Sequence, residues 1–199
     1  MNSIECAKQK IRVTIANSKV PEDPLHAENT LEWLLTLNPR ADSALQIAAL
    51  AHDIDRAVEN TKVRRNDYDD YDAFKAAHAR NGARILREIM KKCGVDGSIT
   101  EEACRLVTLH EVGGDRHSDL IKNADSISYF KVNMPLYYQR EGWEETKRRC
   151  IWGYRRLSTP MKRVVEDIIY EDTLLTRLLK QAIQEASSNG TGLKKYRST

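Results

Sequence analysis

Six side chains of two types recur along this chain in settings that suit metal chemistry: His26, His52, Asp53, His78, His110 and Asp125, each inside or beside an apolar helical run. Imidazole and carboxylate are donors that suit Zn, Fe, Mn and similar divalent ions. Six of them exceed what one tetrahedral structural site uses, so the pattern points to one or two catalytic metals. A histidine taken alone is more often a hydrogen-bonded core or surface residue than a ligand. The adjacent pair His52-Asp53 carries more weight, because it ends the small, apolar stretch Ala44 to Ala51. An ionisable pair delivered to the floor of a core is costly unless something compensates it, and a cation does so directly.

The elements that position these residues read as helices throughout. Apolar spacing runs at three and four, alternation at two is nearly absent, and glycine and proline fall between the periodic runs. The chain is therefore expected to be all-α, a single helical bundle with a C-terminal helical extension. Asp23 is placed as an N-cap with Pro24 as first helical residue, giving a helix over 25–37 stopped by Asn38-Pro39, with His26 in its first turn. A second helix runs from Asp42 or Ser43 past Arg56, with Leu45, Ala48, Ala49 and His52 on one face. Residues 59–71 read as a long polar and aromatic loop over the site. Helices follow over about 72–92, with Cys93-Gly94 as its stop, 100–112 and 119–131. Beyond Pro135, helical periodicity returns over 144–157 and 161–186.

At 199 residues the chain is most naturally one domain, residues 1–186 with a core over about 24–130. The end, 187–199, reads as a frayed or disordered tail. A net charge of +3 neither demands nor excludes nucleic acid. Cys6, Cys93, Cys104 and Cys150 show no CxxC spacing, so no disulfides are expected and the cysteines fit a reducing cytoplasm. The start lacks signal-peptide character, and no apolar run approaches the 18 or so residues needed to span a bilayer. A soluble protein follows, as monomer or homo-oligomer.

The order of these residues resembles the HD superfamily of metal-dependent phosphohydrolases, named for the doublet seen here as His52-Asp53. The resemblance covers roughly residues 24–130 and includes Ala124-Asp125-Ser126, which is similar to the terminal ligand motif of that family. It implies that His26, His52, Asp53 and Asp125 form the basic four-ligand site. His78, in Ala77-His78-Ala79-Arg80-Asn81-Gly82-Ala83, and His110, in Thr108-Leu109-His110, match the extra histidines of the subset holding two metals. The set is most similar to symmetrical dinucleoside tetraphosphatases and also to cyclic-dinucleotide phosphodiesterases, although the Gly-Tyr-Pro element of the latter is absent. The Glu-Asp pair of the alarmone hydrolases is not reproduced in His52 to Asn60.

What the resemblance implies chemically is hydrolysis of a small phosphorylated compound, a nucleotide first, by metal-activated water. Divalent metal lowers the pKa of water toward 7 and neutralises phosphoryl oxygens. Asp53 is the catalytic carboxylate bridging the ions, as in the resembling two-metal enzymes; His26, His52 and Asp125 complete one metal, and His78 and His110 hold the other. Arg56 lies three and four residues after the doublet, on the same face if that helix continues. Two roles stand open for it: a permanent cation for substrate phosphoryl oxygens in catalysis and binding, or a surface pair with Asp55 or Glu59. Within Lys147 to Arg156, cations including Arg148 and Arg155 alternate with aromatics and are candidate substrate contacts. The favoured reading of the same segment is a charged helical face packing Trp152 and Tyr154 inward, and nearby Glu141, Glu144 and Glu145 argue against nucleic acid. His117 reads as a loop residue. Glu111 and Asp115 read as proton donors or as solvated carboxylates, and Gly82 as a bare wall near the metal or as helix packing. Two rivals to hydrolysis remain: an HD-type di-iron oxygenase, and a non-catalytic module that binds metal or nucleotide.

Overall fold

The computed structural model describes residues 2–188, and they are helical without strands. They divide into two compact units meeting at Val132 and Asn133. The first holds α1 (Ser3–Ile15), α2 (Asp23–Leu37), α3 (Ser43–Ala51), α4 (Tyr71–Lys92), α5 (Gly97–Leu109) and α6 (Arg116–Ser128). The second holds α7 (Met134–Arg156), α8 (Thr159–Glu166) and α9 (Thr173–Ser188). The expected tail, from residue 189 on, lies outside the described residues.

α3 is the axis of the first unit. Ala44, Leu45, Ile47, Ala48, Ala49, Leu50 and Ala51 are all buried, so this short helix is apolar nearly all round and must be surrounded. α1, α2, α5 and α6 pack on it, while α4 packs against α5 and α2 against α6. Its four alanines let those neighbours approach closely, and its start is fixed by the Asp42 side chain, which accepts from Leu45 N at 2.9 Å. In the second unit α7 packs on α9. α7 is kinked at Gly142, whose φ of 77° and ψ of −172° suit glycine.

Several boundaries differ from expectation, each for a local reason. α3 stops at Ala51 instead of running past Arg56. The His52 ring donates from Nδ1 to the Ala49 carbonyl at 2.8 Å, taking the acceptor that the next helical amide would use, and Ile54–Ala57 continues as a 3-10 turn. Asp23 caps nothing: Glu22 holds the N-cap position of α2, and the Asp23 carboxylate is turned to Arg56 and Ser18. Asp115 is the N-cap of α6 in a reciprocal box with Ser118, which places His117 in that helix's first turn, half-buried and 3.8 Å from Glu102, not in a loop. The expected helix over 161–186 is two, α8 and α9.

The expectation of four free thiols is overturned. Cys6 on α1 and Cys93 at the C-cap of α4 form a disulfide, with Cα atoms 5.7 Å apart, while Cys104 and Cys150 remain buried thiols. Their 87-residue separation hid the pair, since only the packing of α1 on α4 brings them together. A cytoplasmic placement argued from free thiols loses that support. Among the described residues no helix is long and apolar enough to cross a membrane.

Candidate metal centre

The six residues singled out by type and spacing converge on one buried chamber of the first unit. His26 comes from the first turn of α2, His78 from the middle of α4 and Asp125 from α6. His52 and His110 occupy equivalent positions as the C-caps of α3 and α5. His110 Nδ1 donates to the Val107 carbonyl at 2.7 Å, as His52 Nδ1 does to Ala49.

All four rings are oriented the same way. His78 Nδ1 is held by Asp55 Oδ2 at 2.8 Å. His26 Nδ1 lies 2.8 Å from Ser128 Oγ, and that hydroxyl donates to the His26 carbonyl at 3.2 Å, so it accepts from the ring. Carbonyl, carboxylate and accepting hydroxyl all require the proton on Nδ1, which leaves a lone pair on each Nε2 in the neutral ring. Metal-ligating histidines are oriented in this manner.

The Nε2 atoms and carboxylates form two groups. His26, His52 and Asp125 make the first: His26 Nε2 lies 3.1 Å from His52 Nε2 and 3.2 Å from Asp125 Oδ1, which is 3.6 Å from His52 Nε2. Two donors bound at about 2.1 Å by a tetrahedral ion stand about 3.4 Å apart, so these spacings match a shared cation. Without a proton or a cation, two lone pairs would face each other across 3.1 Å. The second group is Asp53, His78, His110 and Glu111. His110 Nε2 is wholly buried and makes no hydrogen bond, although Glu111 Oε1 is 3.2 Å away.

Asp53 faces both groups. Its Oδ1 lies 2.8 Å from His78 Nε2 and 4.0 Å from His110 Nε2, while Oδ2 lies 3.6 Å from His52 Nε2 and 3.9 Å from His26 Nε2. The chamber and its margin carry five carboxylates, Asp23, Asp53, Asp55, Glu111 and Asp125, against two permanent cations, Arg56 and Lys75. Divalent ions offset such an excess directly. Two of the imidazoles, His52 and His78, respond to it. Burial works against a charged His52, but Asp53 and Asp125 outweigh it and raise its pKa to about 9. The same balance raises His78, through Asp53 and Asp55. Burial is likewise outweighed at Asp53 by Arg56 and His52, and at Asp125 by His26 and His52, so both carboxyls stay well below their usual range.

Arg56 reaches the doublet although α3 ends before it. The 3-10 turn brings its Nη1 to 3.0 Å from Asp23 Oδ1 and 3.1 Å from Asp53 Oδ2, with 31 % of the side chain exposed. The expected surface partners are occupied elsewhere: Glu59 by Lys62 and Lys19, Asp55 by His78, Asn81 and the Val63 amide. That last bond, with Asn81 Nδ2 donating to the Thr61 carbonyl, anchors the base of the 59–71 loop beside the chamber. Gly82 is a packing position and no wall of the site, because an added Cβ would meet Val107 and Ile54 side chains and the His52 carbonyl at 3.5–3.8 Å. Asp115 is accounted for as a cap that also pairs with Arg105.

Arg148 and Arg155 lie on α7 in the second unit, both exposed, Arg148 paired with Glu145. Tyr154 packs inward there and bonds Glu166, whereas Trp152 is half-buried between the guanidiniums of Arg149 and Arg156, 4.5 and 4.3 Å from its ring.

Sequence reasoning left out Ser128 and Lys75, gave Asp23 only as a helix cap and Asp55 only as a surface partner of Arg56, and read Glu111 as a proton donor or a solvated carboxylate. The Glu111 side chain is buried beside His110 and ion-paired with the buried Lys75, which together hold its carboxyl below the usual range against the effect of burial. One signal for it is present in the chain: a second His-acid doublet, His110-Glu111, follows an amphipathic helix as His52-Asp53 follows an apolar one.

Residues 5–176 match the model of a family described as a domain of unknown function, DUF4202. The chain belongs to the DUF4202 family. The match runs from α1 in the first unit to α9 in the second. No curated protein and no solved structure matches this DUF4202 chain. What the findings give is an all-helical DUF4202 domain with two clusters of His and acidic residues geometrically suited to a metal ion.

Proposed function

We propose that this DUF4202 protein is an HD-type, metal-dependent phosphohydrolase acting on a small phosphorylated compound, in the first place a nucleotide monoester, diester or anhydride. The observation that carries the reading is the convergence of four oriented Nε2 atoms on Asp53 and Asp125, with one oxygen of Asp53 toward each pair of histidines. His26, His52 and Asp125 would hold one ion, His78 and His110 with Glu111 the other, and Asp53 both. When bound, divalent ions of the Fe, Mn or Zn type lower the pKa of water toward 7 and offset charge on phosphoryl oxygens.

The chain's own residues supply the rest. Arg56 is a permanent cation beside Asp53, and its exposed part is available to phosphoryl oxygens. Asp23 fixes that guanidinium and is itself held by Ser18 Oγ at 2.6 Å, so the donor is preorganised for charge that grows during reaction. Asp55 keeps the His78 ring aimed at Asp53. Arg148 and Arg155 are proposed as further substrate contacts.

The test is metal analysis of the purified chain and of Asp53→Ala, followed by a nucleotide panel assayed in air and without oxygen. Hydrolysis predicts bound divalent metal, its loss in the variant, and turnover that survives removal of oxygen and replacement of iron by Mn. Full metal content in Asp53→Ala refutes the site. Strict dependence on oxygen and iron refutes hydrolysis in favour of oxygenation, and metal without turnover of any phosphorylated compound leaves a binding module.

A further inference from the structure

On the side of α4 away from the metal centre, a groove of about 340 Å³ runs between α4 and α5, lined by four arginines and one carboxylate, Glu101. At 3.6 residues per turn, Arg80, Arg84 and Arg87 lie about 180–240° round the helix from His78. Facing them on α5 are Glu101 and Arg105, one turn apart, with the buried Cys104 and Ala83 at the floor.

The four guanidiniums differ in what holds them. Arg87 is clasped by both oxygens of Glu101, and Arg105 by Glu102, at 2.8 Å through Nε and Nη2, and by Asp115 at 2.6 Å. Arg80 has no partner among the described residues. Arg84 has one, donating from Nε to Asn81 Oδ1 at 3.0 Å, which leaves both terminal nitrogens without a protein acceptor. Two arginines are thus walls fixed by ion pairs, while two, at positions i and i+4 on one helix, bring uncompensated charge to the same groove. Exposed arginines scattered on a surface need no explanation, but here like charges are gathered in a concavity of small-molecule size, at a cost in mutual repulsion.

We infer that this groove binds a phosphate-class anion, the phosphate portion of a phosphorylated small molecule, at a site separate from the metal centre. Guanidinium forks match phosphoryl oxygens in geometry and charge, and the free ends of Arg80 and Arg84 supply the donors. The site does not depend on the hydrolase reading, because none of its residues belongs to the metal clusters.

The experiment is calorimetric titration of metal-stripped protein with inorganic pyrophosphate, without chelator and at about 0.15 M salt, where diffuse surface attraction is screened beyond about 8 Å. One saturable event is expected in the wild type. It should persist in Arg56→Gln and weaken about 10-fold or more in Arg80→Gln/Arg84→Gln, through loss of two charge-assisted contacts. Arg80→Gln alone, at a position without partners, is expected to weaken binding while leaving the melting temperature unchanged, which separates loss of binding from loss of fold. Absence of a saturable event in the wild type, its retention in the double variant, or its loss in Arg56→Gln would each overturn the assignment.

Discussion

Reducing the Cys6–Cys93 bridge should lower the melting temperature without touching the metal centre. The two cysteines are 87 residues apart, so in the unfolded chain the bond closes a loop that takes in α2, α3 and the whole of α4. The chain-entropy relation gives about 4.6 kcal/mol at 25 °C for closing a loop of that length, a ceiling because residual denatured-state structure and native strain subtract from it. Native bridges generally contribute about 2–4 kcal/mol, and for a chain of this size each kcal/mol moves the midpoint by about 2–4 °C. The expected drop is therefore about 4–16 °C, read by scanning calorimetry with and without a phosphine reductant. Cys6→Ser and Cys93→Ser should each melt with the reduced wild type and show no further response to reductant. Thiol titration in denaturant should count two groups before reduction, Cys104 and Cys150, and four after. Metal content should not change, since every donor in the centre is nitrogen or oxygen. Four thiols in protein handled in air, or a midpoint indifferent to reduction, would refute the bridge and the packing of α1 on α4 that it records.

Three further outcomes are expected. Asp55→Asn keeps the size of the side chain but removes the charge that fixes the His78 proton on Nδ1, so affinity at the Asp53, His78, His110, Glu111 group should fall about 10–100-fold in competition titrations while the other group is spared; equal affinity would mean that Asp55 does not orient the ring. His52, raised to about 9 by Asp53 and Asp125 against its burial, stabilises the metal-free fold fully below its unfolded value of about 6.5, and that contribution is lost as pH rises through about 9. Metal must displace that proton, so titrations at pH 7.5 in buffers of different ionisation enthalpy should show proton release and an affinity that rises with pH, whereas no release would place the ion off His52. Arg56→Ala should lower kcat by more than it raises KM at unchanged metal content, and it should also cost stability by leaving the buried Asp23 carboxylate unpaired; normal turnover per folded molecule would remove Arg56 from the chemistry.

The candidate donors other than Glu111 were legible in the chain because metal chemistry restricts residue type, whereas the residues that aim them were not, because many side chains can orient an imidazole. His26, His52, Asp53, His78, His110 and Asp125 stand out by type and by their apolar settings, and the helical class follows from spacing alone. Ser128, however, meets His26 from 102 positions away, and Asp23 meets Arg56 from 33 away, contacts that exist only once α2 packs on α6 and the 3-10 turn folds back on α2. The same limit explains the disulfide, whose partners share no local pattern. The end of α3 is a different kind of miss. Helical periodicity continues through His52 to Arg56, and what breaks it is a single side-chain bond to the Ala49 carbonyl. That bond recurs at His110 on the Val107 carbonyl, at the end of the amphipathic α5 and before another acidic residue. One local device thus serves twice: the histidine that terminates the helix spends Nδ1 on the last turn, turns Nε2 into the chamber, and carries the next residue's carboxylate in with it. A helix that had run on past the doublet would have kept the Ala49 carbonyl for a backbone amide, and His52 would have lost the bond that aims it. The boundary that propensity missed is therefore part of how the site is built, and a His-acid doublet closing a small-residue helix is a signal worth reading as one unit.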